Sequence, residues 1–291
     1  GLSPKIPLPS FWSGKEDNSL RKGAEFYSIP LTPQQAFFAT SFLYSTLGKL
    51  TNKKPSFSWR TGIHDHLSVL DLDEEGLKKF LVLSILMEKH LFEFIGNNRA
   101  QSVFCVPITE SSVMNYLTKY FQKIITLKEL VILWPKYTAV NLGRLFTIEE
   151  SPGIGTIEFR HLMGTKNLLI VLDWHFKLLQ IYKAAIKIKG LEEMKKLILN
   201  LTTAKKFEDF LNFIFPTEKN EVSEDQFEKL LPFVAKVKEL FLDSPERKPV
   251  LKKSALASYA VYLQKKQLKL KPLKKLKDII VFNDIIFRKN N

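Results

Sequence analysis

The residues best suited to chemistry lie in the stretch 155–165, where a carboxylate and a guanidinium stand two positions apart between large apolar residues. Alternation of this kind predicts a strand, in which Glu158 and Arg160 share one face and their apolar neighbours share the other. Strands with one charged and one apolar face are also common on ordinary protein surfaces, where the charged residues form ion pairs. The spacing therefore predicts the strand and leaves open whether its charged face binds a ligand.

Histidines occupy a second strand candidate, residues 57–69. With a period of two, Arg60, His64 and His66 share a face of that strand. Paired histidines on a strand are either ligands or a hydrogen-bonded surface feature, and the spacing alone does not decide between the two. Glu25 lies within a third strand-like run, nearer the N-terminus.

Helices must hold these strands in place, and apolar spacing predicts several of them. Predicted helices begin near Thr32, with proline at the first helical position, and span 73–95, 113–125 and 168–189. Further helical stretches with proline breakers follow. Asn141 stands in a run that leads toward the charged strand, where it either binds a ligand or anchors a turn.

The composition is that of a folded protein. Of its 291 residues, 45% are hydrophobic and 12% aromatic, which is ample for a packed core. No apolar run approaches the roughly 18 residues that a membrane helix requires, so we expect no membrane partner and a cytoplasmic protein. A single cysteine, Cys105, excludes an internal disulfide framework and a thiolate cluster for zinc, and we expect its side chain to be buried.

Positive charge is concentrated near the C-terminus. The segment from Lys248 to Lys277 holds ten lysines and no acidic residue, so it supplies +10 of the net charge of +14 and leaves +4 for the rest of the chain. Such a segment binds nucleic acid or an acidic protein surface, or it is simply a solvated face. Its two tyrosines fit a helix core, so a general nucleic-acid binder is the least favoured interpretation of the chain.

Five segments, taken in order, resemble the amidoligase family of the glutamine synthetase-like carboxylate-amine ligase superfamily, especially its phage-type members. They cover roughly residues 12–185 and comprise DNSLR and GAE at 17–25, RTGIHDH at 60–66, FCVP at 104–107, YTAVNL at 137–142 and GTIEFRHLMGT at 155–165. The resemblance implies an α+β fold, in which a curved antiparallel sheet of the glutamine synthetase-like type packs against helices and precedes a mainly helical, lysine-rich C-terminal part. We accordingly expect an amidoligase-like domain at 1–190 and a helical extension at 191–291.

The resemblance also implies ATP-driven chemistry: a carboxylate attacks the γ-phosphate, an acyl phosphate forms, and an amine displaces phosphate to leave an amide. Phosphoryl transfer depends mainly on positioning and on the neutralisation of charge, which carboxylate-bound magnesium and a fixed guanidinium can provide. By this resemblance the site residues would be Glu25 and Glu158 for the metal, Arg60 or Arg160 for a phosphate in a catalytic role, and His64, His66, Arg160 and Asn141 for ATP.

Departures from the family pattern bear on activity, and they include a missing strand and a changed residue between the histidines. The first strand of the family carries two glutamates one residue apart, and nothing before Asp17 provides it, so we expect that strand to lie upstream of this chain or to have been lost. Asp65 replaces an apolar residue between His64 and His66. Because an unpaired buried carboxylate costs on the order of several kcal/mol, we expect Asp65 to be paired or to lie at a sheet edge.

The resemblance and its departures support two functional hypotheses. The first is an ATP- and magnesium-dependent ligase that joins a carboxylate and an amine on a peptide or amino acid, encoded by a phage and found in the host cytoplasm or the virion. The second is a catalytically inactive relative that serves as a structural or binding component of a phage particle or a nucleic-acid-containing assembly. In the second hypothesis the segment from Lys248 to Lys277 holds the partner.

Overall fold

Short antiparallel strands and longer helices make up the described part of this α+β chain. The structure is a computed structural model, and it describes residues 12–16, 24–51, 61–96, 98–146 and 153–242. Arg60 and the predicted basic segment, 248–277, lie outside the described residues. Contacts divide the described residues into unit 1, which lies within 1–62 and 164–173, and unit 2, which lies within 63–163 and 174–242.

Unit 1 contains a β-hairpin and a long helix. Strands β1 (Trp12–Glu16) and β2 (Ala24–Ser28) pair antiparallel, and helix α1 (Pro33–Thr51) begins with proline at its first position, as predicted. The indole Nε1 of Trp12 donates a hydrogen bond to the carbonyl oxygen of Ala39 on α1 (3.0 Å). The sequence did not predict β1, since its residues WSGKE include no β-branched side chain, and its pairing with β2 defines it as a strand.

Unit 2 contains a three-stranded antiparallel sheet with the order β3-β5-β4. In chain order its strands are β3 (Asp65–Ser68), β4 (Val140–Asn141) and β5 (Thr156–Phe159). Both outer strands pair with β5, and His66 and Asn141 each lie opposite Glu158. The central position of β5 therefore gathers residues from three separate stretches of the chain.

Eight further α-helices follow in the described part of the chain. They are α2 (Glu74–Leu86), α3 (Glu88–Phe94), α4 (Val113–Phe121), α5 (Leu127–Leu133), α6 (Leu168–Lys187), α7 (Leu191–Leu199), α8 (Ala204–Ile214) and α9 (Glu224–Lys238). The single helix predicted at 73–95 is two helices, because the backbone departs from regular helical geometry at Met87 (φ −84°, ψ −5°). No helix among the described residues combines the length and the apolar character needed to cross a membrane.

Helices cover the apolar face of β5. The ring of Phe80 on α2 lies 6.0 Å from that of Phe159 on β5 and 5.6 Å from that of Tyr182 on α6. Ile157 and Phe159 are fully buried, and burial of each such side chain stabilises the fold by about 1.5–3 kcal/mol. Cys105 is also fully buried, as predicted, and burial raises the pKa of its thiol to about 12.

The helices after residue 190 belong to unit 2, together with the sheet. They are amphipathic, and each buries apolar residues, such as Met194 on α7, Phe207 on α8 and Phe227 on α9. The mainly helical character predicted for this part holds for residues 191–242. The predicted domain boundary at residue 190 stays a prediction.

Candidate functional site

Glu158 and Arg160 form an ion pair on the face of β5 that points away from Phe80 and the helical core. Glu158 Oε1 lies 3.0 Å from Arg160 Nη2, and the two side chains are only 7% and 9% exposed. They share a face, as the alternation predicted. A surface strand would leave such a pair in solvent, so the burial of both charges indicates a built polar cluster.

Two further segments hold the Glu158 carboxylate. His64 Nδ1 lies 3.0 Å from Oε1, and Asn141 Nδ2 donates to Oε2 at 2.8 Å. The side-chain oxygen of Asn141 also accepts a hydrogen bond from the backbone N–H of Gly143 (2.9 Å), so this residue both anchors a turn and contacts the carboxylate. These residues and their neighbour His66 form the Glu158 cluster, which comprises His64, His66, Asn141, Glu158 and Arg160.

His66 forms the exposed edge of the cluster together with His64. It pairs across the sheet with Glu158, and its Nδ1 lies 3.1 Å from Thr156 Oγ1. Partial loss of solvent lowers the pKa of His66 below its ordinary value and outweighs the attraction of Glu158. His66 is therefore mostly neutral near pH 7. A neutral imidazole has one nitrogen that donates and one that accepts a hydrogen bond, so His66 can do either toward a ligand.

Glu158 carries a full negative charge. Burial by itself raises the pKa of its carboxyl, but the hydrogen bond from His64 and the positive charge of Arg160 outweigh that effect and hold the pKa well below its usual range. Arg160 is consequently fixed in orientation by a permanent counter-charge. A guanidinium held in this way loses little further freedom when it binds an anion.

Arg160 keeps hydrogen-bonding capacity that the rest of the described chain does not use. Its Nε is buried and has no hydrogen-bond partner among the described residues. Its guanidinium carbon lies 5.6 Å from the centroid of the Tyr137 ring, and its carbonyl oxygen accepts a hydrogen bond from Arg99 Nε (3.3 Å). Sequence reasoning assigned no role to these two neighbours. Tyr137 stands in one of the family-like segments, whereas nothing in the sequence marked Arg99.

Two predicted site residues, Glu25 and Arg60, are not among the described residues of unit 2. Glu25 is on β2 of unit 1, where its carboxylate is exposed and pairs with Lys15 Nζ at 3.0 Å. Arg60 is outside the described residues. The metal-binding role of Glu25 and the phosphate-binding role of Arg60 therefore stay predictions.

The donor set of the cluster does not fit a resident magnesium ion. Magnesium prefers several oxygen ligands, but Glu158 is the one carboxylate of the cluster and both of its oxygens already bind protein donors. Within residues 12–16, 24–51, 61–96, 98–146 and 153–242, no three histidine, cysteine, aspartate or glutamate side chains are grouped so that they could hold a metal. Arg160 and the exposed histidines suit an anion better.

Searches of protein-family models, curated proteins and solved structures found no match for this chain. Function is therefore inferred from the Glu158 cluster itself.

Proposed function

We propose that this chain is an ATP-dependent carboxylate-amine ligase with a glutamine synthetase-like sheet, which forms an amide or isopeptide bond through an acyl phosphate. One observation carries the proposal. The five residues of the Glu158 cluster, which the family resemblance assigns to ATP or metal, meet on one face of a sheet, although residues 64 and 158 are far apart in the chain. The acceptor is a peptide or an amino acid.

Arg160 is suited to a phosphate oxygen. The carboxylate of Glu158 occupies Nη2 of its guanidinium, while Nε has no partner among the described residues. A charge-assisted hydrogen bond from a fixed guanidinium stabilises developing negative charge without reorganisation at the moment of reaction. Magnesium arrives in this proposal as part of the Mg-ATP substrate, which agrees with the poor fit of the cluster to a resident ion.

The chemistry is a balanced pair of displacements. An oxygen of the substrate carboxylate attacks the γ-phosphorus, and ADP leaves with the electron pair of the broken P–O bond. The nitrogen of the amine then attacks the acyl carbon, phosphate leaves, and the nitrogen loses a proton. His64 and His66, at the exposed edge of the cluster, are the groups that can accept a proton near a bound substrate.

Calorimetric titration of the full chain with Mg-ATP tests the proposal. We expect Arg160→Ala to weaken binding about 10- to 100-fold, since one charge-assisted hydrogen bond is worth roughly 1.5–3 kcal/mol, and Arg160→Lys to recover only part of the loss. Lys205→Ala is the matched control, because Lys205 is an exposed cation on α8 that pairs with Glu208. Equal binding by the parent and Arg160→Ala would reject the proposed role of the cluster.

A non-catalytic binding or structural role is the second candidate, and one observation favours it. Both carboxylate oxygens of Glu158 are satisfied by protein donors, which is what a cluster that only stabilises the sheet requires. In this role the segment from Lys248 to Lys277 binds nucleic acid or an acidic partner.

The second candidate predicts a different pair of results. The parent chain would not bind Mg-ATP, and its affinity for DNA would fall steeply between roughly 50 and 200 mM salt, because several lysines would release counter-ions from phosphates. An affinity that hardly changes with salt would contradict polyanion binding by the lysine segment.

A further inference from the structure

Asp65 stands between His64 and His66 but faces the opposite side of β3. Its register partner on β5 is Phe159, the residue whose ring packs against Phe80, whereas His66 lies opposite Glu158. Alternation along a strand therefore places the Asp65 side chain toward the helices and the two histidines toward the Glu158 cluster. A charged residue on a core-facing position needs partners, and α6 provides them.

The carboxylate of Asp65 is held by two consecutive residues of α6. Its Oδ1 lies 2.6 Å from His175 Nε2, and its Oδ2 accepts a hydrogen bond from Trp174 Nε1 at 2.7 Å. The side chains of Asp65 and His175 are only 17% and 11% exposed. Although burial lowers the pKa of His175, the hydrogen bond and charge of Asp65 outweigh it and raise that pKa, which strengthens the contact.

Trp174, which binds Asp65 from α6, is itself held rigidly by its surroundings. Trp174 is fully buried, and its ring lies 5.3 Å from that of His161 and 6.5 Å from that of Phe94. Two hydrogen bonds to a buried, packed indole and its neighbour leave the Asp65 carboxylate little freedom. The two contacts of the Asp65 side chain therefore restrict the movement of β3 relative to α6.

Besides its pairing with β5, strand β3 is flanked by two backbone hydrogen bonds, from the N–H of Ile63 to the carbonyl oxygen of Leu162 (2.9 Å) and from the N–H of Val69 to the carbonyl oxygen of Gly155 (3.0 Å). It is four residues long and lies at the edge of the sheet as described, so it pairs with β5 alone. Short edge strands fray readily, because only one side of their backbone is hydrogen-bonded. His64 directly precedes this strand, and its contact with Glu158 requires the strand to keep its place.

We propose that Asp65 is a positioning residue of the Glu158 cluster: by binding Trp174 and His175 it holds β3 in register and so keeps His64 and His66 against Glu158. The consequence for ATP affinity rests on the proposed function, but the geometry of His64 can be measured without it. Asp65 touches no substrate in this proposal and acts only through the two histidines.

A second contact between α6 and the chain after β3 supplies a matched control. The hydroxyl of Tyr182 on α6 donates a hydrogen bond to Asp71 Oδ1, which lies beyond the end of β3. Tyr182→Phe removes a hydrogen bond between α6 and a carboxylate of the same region and leaves the Asp65 contact intact. If Asp65 only stabilised the fold, Asp65→Asn and Tyr182→Phe would affect His64 alike whenever they lower the free energy of unfolding by the same amount.

Nuclear magnetic resonance of the histidine side chains reads the geometry directly. The sequence has five histidines, so the imidazole signals of His64 can be assigned. Since the carboxylate of Glu158 only accepts, Nδ1 of His64 carries the hydrogen in the parent. We expect Asp65→Asn, which removes the charge that binds His175, to weaken the hydrogen-bonded Nδ1–H signal of His64 and to speed amide exchange in β3, and Tyr182→Phe to change neither.

Mg-ATP titration of the same variants completes the test. We expect Asp65→Asn to weaken binding about tenfold, the effect of losing one ordered histidine contact, and Tyr182→Phe to bind as the parent does. An unchanged His64 signal in Asp65→Asn would overturn the positioning role, whatever happens to ATP. If the parent binds no ATP and Asp65→Asn still weakens the His64 signal, the positioning role stands and the ligase proposal fails.

A second variant, Trp174→Phe, tests the same contact in case Asp65→Asn does not fold. Trp174→Phe keeps the aromatic ring and removes the donor to Oδ2, so it weakens the anchor by one hydrogen bond. We expect a partial loss of the His64 Nδ1–H signal in this variant. Full retention of the signal would also count against the positioning role.

Discussion

At the scale of single residues, Glu158 is the point on which the polar cluster depends. One carboxylate, itself only 7% exposed, contacts Arg160, His64 and Asn141. Buried ion pairs contribute little net stability compared with apolar residues, yet they are costly to break, because the remaining partner stays charged. The cluster is thus tolerant of paired substitution and intolerant of single substitution.

Glu158→Gln tests this view. We expect a loss of about 3 kcal/mol in the free energy of unfolding, because Arg160 is left buried without its counter-ion. Adding Arg160→Met should restore part of the loss, since the double variant buries no uncompensated charge. Urea unfolding of the parent, Glu158→Gln and the double variant gives the three free energies, and a double variant that is no more stable than Glu158→Gln alone would contradict the argument.

His161 is the second residue whose burial has a measurable cost. It is fully buried between the rings of Phe92, Phe159 and Trp174, and neither ring nitrogen has a hydrogen-bond partner among the described residues. Burial, with a smaller contribution from Arg99, lowers the pKa of its imidazole to about 3. Its side chain lies on the same side of the chain as that of Phe159, opposite to Arg160, as alternation along an extended segment requires.

We predict that the free energy of unfolding of His161→Leu falls less than that of the parent as the pH is lowered below neutral. Because the folded pKa lies below the ordinary value of 6.5, the unfolded chain binds a proton first, and stability is lost as the pH falls from 6.5 toward 3. The loss is on the order of 4 kcal/mol at its largest. Urea unfolding at pH 7 and pH 4.5 should show a smaller difference for the variant, and an equal difference would contradict the assignment.

At the scale of elements, the start of β5 requires a particular backbone. Gly155 has φ +66°, and its carbonyl oxygen accepts a hydrogen bond from the N–H of Val69 at the end of β3 (3.0 Å). A Cβ at this position would lie 2.2 Å from Cδ2 of Leu70. Glycine is therefore favoured by the positive φ, and a larger residue would in addition displace the exposed side chain of Leu70.

Gly155→Ala is expected to destabilise the fold by about 1–2 kcal/mol, because alanine resists the positive φ and Leu70 must move aside. Thermal unfolding gives the measurement. Gly48→Ala is the matched control, since Gly48 is in helix α1 and a Cβ there meets nothing within 4 Å. Replacement in a helix should stabilise by roughly 0.5–1 kcal/mol, and equal effects at the two sites would contradict the explanation.

At the scale of the whole molecule, we expect the pH dependence of the stability of the fold to include a contribution from a buried acid outside the Glu158 cluster. Glu88 at the start of α3 is 1% exposed and accepts hydrogen bonds from the N–H of Ile108 (2.6 Å), the N–H of Thr109 (3.1 Å) and the hydroxyl of Thr109 (3.0 Å). Burial raises the pKa of its carboxyl to about 7, although these hydrogen bonds oppose the shift.

The gap of interest is the free energy of unfolding of the parent minus that of Glu88→Gln. We predict that this difference decreases as the pH rises. A folded pKa above the ordinary 4.5 means that the contribution of Glu88 is fully present below pH 4.5 and is lost as the pH rises through about 7. The gap should shrink by on the order of 3 kcal/mol between pH 4.5 and pH 8. Chemical unfolding across that range measures it, and a gap that stays constant or widens would contradict the raised pKa.

Local patterns were sufficient for much of the framework. The proline at the start of α1, the helix at 168–187 and the strand around Glu158 all follow from spacing and terminal residues, which depend on neighbours only a few positions away. The expectation that Asp65 is paired or lies at a sheet edge was confirmed on both counts, since an unpaired buried charge is too costly to persist.

Partners distant in sequence could not be predicted in the same way. The residues that hold Asp65 are 109 and 110 positions away, and the asparagine that binds Glu158 is 17 positions away. The interruption of the predicted helix at Met87, just before Glu88, accompanies contacts that Glu88 makes with residues 108 and 109. No local spacing carries such information.

By itself the sequence determined the alternation that separates a charged from an apolar face, the main helices and the mixed α+β class, because these depend on side-chain periodicity along a short run. Only the tertiary structure decided that the charged face is buried, that His64 and Asn141 share one carboxylate with Arg160, and that Asp65 is fixed by α6. Burial and pairing arise when separate segments meet, and that meeting is set by the packing of the whole chain.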